Sequence, residues 1–171
     1  TPTELGEEGV RSLVSIGGGV ALAGTDLNAM ILRTTDYGSN WSDLGQAQKF
    51  GAAYIRSLTN LGDGIVIATT GVDSTNMSTR ATILRSTDDG ITWEDMGVGT
   101  LNQELIRGSS YLGNGKVLAG TSNSGKILRS SDYGVTWIDV PSVPGGEIVI
   151  YGFYDLGNGI VLAGTGTNAK I

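Results

Sequence analysis

Short runs of apolar and polar residues, separated by glycine-containing turns, recur four times along the chain. The first run of each repeat alternates, and a Gly-x-Gly turn follows it. Glycine readily takes the positive φ that a tight hairpin needs, so each turn predicts a reversal between antiparallel strands. The first runs begin at Val10, Ile55, Ile106 and Ile150, and the turns occupy residues 17–19, 62–64, 113–115 and 157–159.

The second run of each repeat is almost continuously apolar, which is typical of a strand buried on both faces. A third run follows in the first three repeats, and a fourth strand is predicted to begin at each tryptophan. The second runs cover residues 20–23, 66–68, 117–119 and 161–163, and the third cover 31–33, 83–85 and 127–129. Four short strands per repeat predict the blade of a β-propeller.

Between the third and fourth strands the pattern S/T-x-D-x-G-x-x-W occurs three times and includes every tryptophan of the protein. We call this pattern the box. Its aspartate is expected to accept hydrogen bonds from its own turn, its glycine to be left-handed and its tryptophan to pack over the hairpin. The box residues are Asp36, Gly38 and Trp41, then Asp88, Gly90 and Trp93, then Asp132, Gly134 and Trp137.

The sequence thus predicts an all-β chain in which residues 1–171 form one β-propeller or propeller segment. It has three complete repeats and an incomplete fourth, at approximately residues 10–45, 55–97, 106–140 and 150–171. The second repeat carries an insertion between Ala68 and Ile83. Residues 1–6 resemble an outer strand. They are expected to complete a blade in the same chain or, by strand exchange, in another copy, and a longer chain with further blades is the alternative.

Composition narrows the range of functions. The formal net charge of -6 argues against a nucleic-acid partner, which needs clustered Lys and Arg. The absence of Cys and His removes disulfides, Ser-His catalysis and the usual zinc, copper and haem ligands. We therefore predict no cofactor and no metal site, with Ca²⁺ as the one ion left open. No apolar run approaches the ~20 residues of a membrane-spanning helix.

The box resembles the Asp-box of the bacterial neuraminidase repeat (BNR) propellers, and the resemblance covers almost the whole chain. That family includes sialidases, some glucanases, sortilin-type receptors and a photosystem assembly factor, so it implies a fold and no single activity. In the family the box lies away from the active centre. The resemblance therefore implies a structural role for the box aspartates, with calcium or ligand contact as the alternative.

Arginines recur at one position of the first strand, as Arg11, Arg56 and Arg107, and Tyr151 takes that position in the fourth repeat. Arginines clustered near a propeller axis would bind a carboxylate or sulfate. Sialidases are similar in using three arginines for the sialate carboxylate, although theirs lie at non-equivalent positions. We expect structural pairing with neighbouring carboxylates, and an anion-binding site is the alternative. A second periodic set comprises Arg33, Arg85 and Arg129.

No catalytic constellation is recognisable, since a glycosidase needs two carboxylates across a cleft or a Tyr nucleophile with acidic partners. Two N-x-S/T triplets make Asn76 and Asn40 candidate glycosylation sites. The sequence favours a non-catalytic extracellular or surface propeller, a binding or self-assembling module for a glycan or protein ligand. A fragment of a sialidase-like or other glycoside hydrolase, with its catalytic residues outside this chain, and an intracellular assembly factor are the alternatives.

Overall fold

A computed structural model describes residues 9–45, 47–72, 80–98, 105–140, 146 and 148–166. Apart from one short 3₁₀ helix (Ala47–Phe50), every regular element in these residues is a strand, which confirms the predicted all-β class. The strands are β1 (Val10–Gly17), β2 (Val20–Thr25), β3 (Ile31–Thr34), β4 (Ser42–Asp43), β5 (Tyr54–Gly62), β6 (Ile65–Gly71), β7 (Ile83–Ser86), β8 (Glu94–Asp95), β9 (Ile106–Tyr111), β10 (Val117–Thr121), β11 (Ile127–Ser130), β12 (Ile138–Val140), β13 (Ile150–Gly157) and β14 (Ile160–Thr165).

The strands form three four-stranded antiparallel sheets, β1 to β4, β5 to β8 and β9 to β12, and one two-stranded sheet, β13 and β14. Within each sheet, strands that follow one another in the chain are hydrogen-bonded neighbours. The first strands also lie side by side, β1 beside β5, β5 beside β9 and β9 beside β13. Meanders arranged around their first strands are the blades of a propeller, as predicted, and we number them blade 1 to blade 4.

The Gly-x-Gly hairpins need left-handed backbone at their middle residue as well as at glycine. Asp63, Asn114 and Asn158 have φ values of 50°, 50° and 55°, and the glycine after each also has positive φ. Two successive residues with positive φ are what a type I′ turn requires, and this turn matches the twist of the flanking strands. Asp and Asn tolerate this conformation better than most residues, so the middle position contributes to the turn.

The fourth strands begin one residue later than predicted, at Ser42, Glu94 and Ile138. In two boxes the tryptophan packs back on its own turn. The Nε1 atoms of Trp93 and Trp137 donate to the carbonyl of the box glycine at 3.0 Å. The tryptophan therefore belongs to the turn, and the strand starts after it.

The hydrophobic cores lie between blades rather than within one. The first core joins Leu22 of blade 1 to Ile55 and Trp93 of blade 2, and the second joins Ile67 of blade 2 to Ile106 of blade 3. These side chains are at most 3% exposed. Full burial of each such aliphatic side chain contributes about 1.5–3 kcal/mol, so the contact between blades stabilises the fold.

An aliphatic side chain of each earlier blade packs on the box glycine of the next. Leu22 Cδ1 lies 2.4 Å from where a Cβ at Gly90 would stand, and Ile67 Cδ1 lies 2.5 Å from the same point at Gly134. No side chain fits at either position. The φ values of +81° and +82° also favour glycine there.

The second arginine set joins the same blades. Arg33 Nε donates to the Asp89 carbonyl at 3.2 Å, and Arg85 Nε donates to the Tyr133 carbonyl at 2.8 Å. Each acceptor lies in the box of the next blade, directly before its glycine. Arg33 and Arg85 thus bind backbone carbonyls across the contact between blades, because the left-handed turn presents these carbonyls to them.

Not every second strand is buried on both faces, and blade 4 corrects that prediction. Leu162 of β14 is 37% exposed, whereas Leu22 and Ile67, at the same repeat position in blades 1 and 2, are 0% exposed. No further described sheet follows blade 4, so one of its faces is open. The predicted outer strand at residues 1–6, the insertion (73–79) and residues 167–171 lie outside the described residues. Strand exchange and the repeat bounds therefore stay predictions.

We expect Gly90→Ala to destabilise the protein more than Gly113→Ala. Both glycines have similar φ, +81° and +82°, so each substitution costs about 1–2 kcal/mol in backbone strain. Only Gly90 faces Leu22, and the overpacking adds about 1–3 kcal/mol. At Gly113 nothing lies within 4 Å of where a Cβ would stand. Urea unfolding measures both variants, and equal losses would contradict the contact between blades.

Candidate functional site

The box aspartates are occupied by their own turns. Asp88 Oδ1 accepts hydrogen bonds from the Thr92 backbone N–H at 2.8 Å and from the Ser86 hydroxyl at 2.7 Å. Asp88 Oδ2 accepts one from the Thr92 hydroxyl at 2.6 Å. The blade 3 box repeats these bonds at Asp132. Both carboxylate oxygens serve the turn, which is the structural arrangement of an Asx-type motif.

The blade 1 box differs in one donor. The Asn40 side-chain amide donates to Asp36 Oδ2 at 2.7 Å, where the other boxes use a threonine hydroxyl. The Asn40 backbone N–H also donates to Asp36 Oδ1 at 2.9 Å. Asn40 is one of the two candidate glycosylation sites, and its side-chain amide is hydrogen-bonded within the turn. The other candidate, Asn76, lies outside the described residues.

These hydrogen bonds keep the box carboxylates ionised. In the first box, the Asn40 side chain and backbone, followed by Thr34, lower the pKa of Asp36 to about 2. In the other two boxes burial alone would raise the pKa of Asp88 and Asp132. The hydrogen bonds from their turns outweigh that effect and hold both pKa values below the usual range.

A second group of residues forms a pocket at the first strands. Because these strands lie side by side, the arginines at one repeat position project into the same space. The pocket has a volume of 290 Å³ and is lined by Val10, Arg11, Arg56, Arg107 and Tyr151. Ligand sites usually span about 300–1,000 Å³, so this pocket suits a single small anionic group rather than an oligosaccharide.

The three arginines differ in the partner that each Nε atom binds. The Nε of Arg11 is ion-paired with the Asp26 carboxylate, and the Nε of Arg107 donates to the Ser122 hydroxyl. The same repeat position in blade 2 is Gly71, which has no side chain to offer. Accordingly, the buried Nε of Arg56 has no hydrogen-bond partner among the described residues.

The environment of Arg56 is electrostatically unfavourable for a cation. Burial lowers its pKa, and the neighbouring charges of Arg11 and Arg107 lower it further. The guanidinium stacks 4.4 Å from the centroid of the Tyr54 ring, which supports its plane without supplying a hydrogen bond. The Asp26 carboxylate acts in the opposite direction, and an anion in the pocket would offset more of the cost of desolvating this cation.

Among the described residues, the expected pairing of first-strand arginines with carboxylates is found at Arg11, whereas the Arg107 Nε binds a hydroxyl and the Arg56 Nε has no partner. The reason is a position that sequence reasoning passed over, the residue after the threonine of the second strand. That position reads Asp26, Gly71, Ser122 and Gly166 along the repeats. Comparing it with the arginine position would have pointed to Arg56. The stacking of Arg56 on the Tyr54 ring could not have been found from the sequence in this way.

Among the described residues, no three His, Cys, Asp or Glu side chains lie together in a way that could hold a metal ion. In that same part of the chain, no helix has the length and apolar character to cross a membrane.

Solved structures with the same arrangement of blades include two of YCF48. YCF48 bound to D1 peptide has a TM-score of 0.61 at 20% identity, covering 81% of this chain and 42% of that one. YCF48 from Cyanidioschyzon merolae has a TM-score of 0.64 at 16% identity, covering 94% and 52%. An ancestral GH74 enzyme has a TM-score of 0.64 at 13% identity, covering 85% and 20%.

These structures are β-propellers, so the predicted propeller fold is confirmed. The chain spans about half of the YCF48 structures and a fifth of the GH74 enzyme. No protein-family model and no curated protein matches it. At such low identity the likeness establishes the fold alone.

We expect stability to fall on acidification because of the boxes. A carboxylate whose folded pKa lies below its unfolded value of about 3.9 stabilises the fold above that value and loses the contribution as pH falls. For Asp36 the loss runs toward its folded pKa of about 2. The unfolding free energy should therefore decline between about pH 5 and pH 2. Urea unfolding across this range measures it, and Asp36→Asn should reduce the slope. A rise in stability below pH 4 would contradict the expectation.

Proposed function

We propose that this chain is a non-catalytic binding module, extracellular or on a surface, whose first-strand arginines bind a carboxylate of an acidic protein segment. The observation that carries the proposal is the half-buried guanidinium of Arg56, which lines the pocket and whose buried Nε has no hydrogen-bond partner among the described residues. Arg11 and Arg107 flank it, and Asp26 neutralises only the first of these. The pocket therefore has an excess of positive charge.

A carboxylate fits this arrangement. A guanidinium binds a carboxylate with parallel N–H···O bonds, and the pocket has room for one such group. A polyanionic nucleic acid would meet a chain with a net charge of -6. The D1 peptide bound to a YCF48 propeller supports a protein ligand, because it shows that this fold accommodates a peptide.

We also infer from the three boxes that the chain is a member of the Asp-box group of propellers. A glycoside hydrolase fragment is the second candidate function, favoured by the fold likeness to GH74 enzymes. The residues that line the pocket include no carboxylate, so the catalytic acids of such an enzyme would lie elsewhere. Hydrolysis of a β-glucan by this chain would support the enzyme over the binding module. An intracellular assembly factor is a third candidate, which cellular fractionation would separate from a surface protein.

The binding proposal predicts that Arg56→Gln weakens the affinity for an acidic peptide. A hydrogen bond to a charged group contributes about 1.5–3 kcal/mol, so the affinity should fall roughly 10- to 100-fold. Isothermal titration with a hexapeptide carrying three glutamates, and with its glutamine counterpart, measures this effect. Only the glutamate peptide should bind.

The matched control is Arg129→Gln, which removes the same charge from an exposed arginine in blade 3. It should leave the peptide affinity within about twofold, since the lost charge is screened by solvent. Equal losses in the two variants would contradict a site at Arg56. Binding of N-acetylneuraminate in place of the peptide would move the partner from an acidic protein to a glycan.

A further inference from the structure

Two of the contacts between blades share a feature at the inner strands. The β-branched residue at the start of a first strand packs on a glycine in the second strand of the preceding blade, as Ile55 Cγ2 does at Gly24 and Ile150 Cγ2 does at Gly120. The contact between blades 1 and 2 combines this pair with Leu22 on the box glycine Gly90. Between blades 2 and 3 the residue at the glycine position is Thr69, and that contact has the box-glycine pair alone.

Blade 4 exposes the first half of this contact. Gly164 holds the repeat position of Gly24 and Gly120, yet nothing lies within 4 Å of where its Cβ would be. Leu162 holds the position of Leu22 and is partly exposed. Around them an apolar groove of 390 Å³ is lined by Gly152, Phe153, Tyr154, Leu162 and Gly164. Contiguous exposed apolar surface of this kind marks an interaction site.

Blade 1 exposes the other half. Val10 holds the position of Ile55 and is 55% exposed, although Ile55 is fully buried. Gly38 is left-handed like the other box glycines and is exposed, with only its own tryptophan nearby. Leu13, which corresponds to the buried Leu58, is also exposed.

We propose that the open face of blade 4 docks blade 1 of a second copy of this chain, head to tail. Leu162 would pack on the partner's Gly38, and the partner's Val10 would pack on Gly164. The occupant must present a β-branched residue and a bare left-handed glycine at the spacing of one blade. This chain presents both at its opposite end, and it uses the same contact internally.

Two copies can cover both open faces at once. A heterologous contact that closes after two copies forms a ring in which each chain contributes both faces. The contact shares Val10 with the lining of the arginine pocket, but neither Leu162 nor Gly38 belongs to that pocket, so variants at these two positions test the contact separately.

Light scattering after size exclusion tests the association, and the expected mass is twice the 17.7 kDa of one chain. Leu162→Asp should give a monomer, because a charge would be buried on the partner's box. Ile91→Ser is the matched control. It removes an aliphatic side chain that is 47% exposed in a central blade and installs the residue that blade 1 has at this position, Ser39. It should remain a dimer. A monomeric wild-type chain at about 100 µM, a concentration that saturates any micromolar dimer, would overturn the proposal.

Cross-linking tests the pairing through a covalent bond gained rather than an association lost. The chain has no cysteine, so Leu162→Cys in one preparation and Gly38→Cys in another supply the only thiols. In the equivalent internal contact, Leu22 Cγ lies 3.2 Å from the Cβ position at Gly90, which is within reach of a disulfide.

Oxidation of the mixture should give a covalent pair, and oxidation of either variant alone should not. A mixture of Leu162→Cys with Ile91→Cys is the control and should stay unlinked. Cross-linking of Leu162→Cys with itself would show a face-to-face dimer and overturn the head-to-tail arrangement. So would the absence of a covalent pair in the mixture.

Discussion

The packing of an aliphatic side chain on a bare, left-handed glycine is the contact on which the rest of this structure depends. The box makes that contact available. Its aspartate and its first Ser or Thr fix the turn by hydrogen bonds, and the turn places glycine where no Cβ can stand. The preceding blade then fills the space with leucine or isoleucine and binds the adjacent carbonyl with arginine. A local turn motif thereby specifies long-range packing.

Sites for chemistry arise in this molecule where the repeat is interrupted. Three blades bring an arginine to the same place, and in two of them the residue after the second-strand threonine binds it. Blade 2 has Gly71 there instead, so the buried Nε of Arg56 has no hydrogen-bond partner among the described residues. Periodicity builds the pocket, and a single departure from periodicity gives it a binding capacity. The same reasoning applies to the open faces of the terminal blades, where the series of contacts stops.

The sequence was sufficient for the fold because three levels agree. Apolar alternation gives the strands, Gly-x-Gly gives the hairpins and the box gives the blade corner, all at one period. The sequence did not predict which residues the arginines bind. Whether Arg11 meets Asp26 or Arg56 meets Gly71 depends on which residues adjoin across a strand pair. The predicted burial of Leu162 was also too high, because such a side chain is buried by the neighbouring blade that covers it and not by its own strand.

The arginine pocket and the chain as a whole have opposite charge, and this affects how fast an anionic partner associates. The chain as a whole is acidic, while the pocket is a small cationic region within it. Beyond a Debye length, about 8 Å at physiological ionic strength, salt screens both the negative field of the chain and the positive field of the pocket. At low ionic strength the overall negative field reaches further and opposes the encounter, and at high ionic strength the pocket's own attraction weakens. Association with an anionic partner is therefore fastest at intermediate ionic strength, unlike that of a uniformly basic surface.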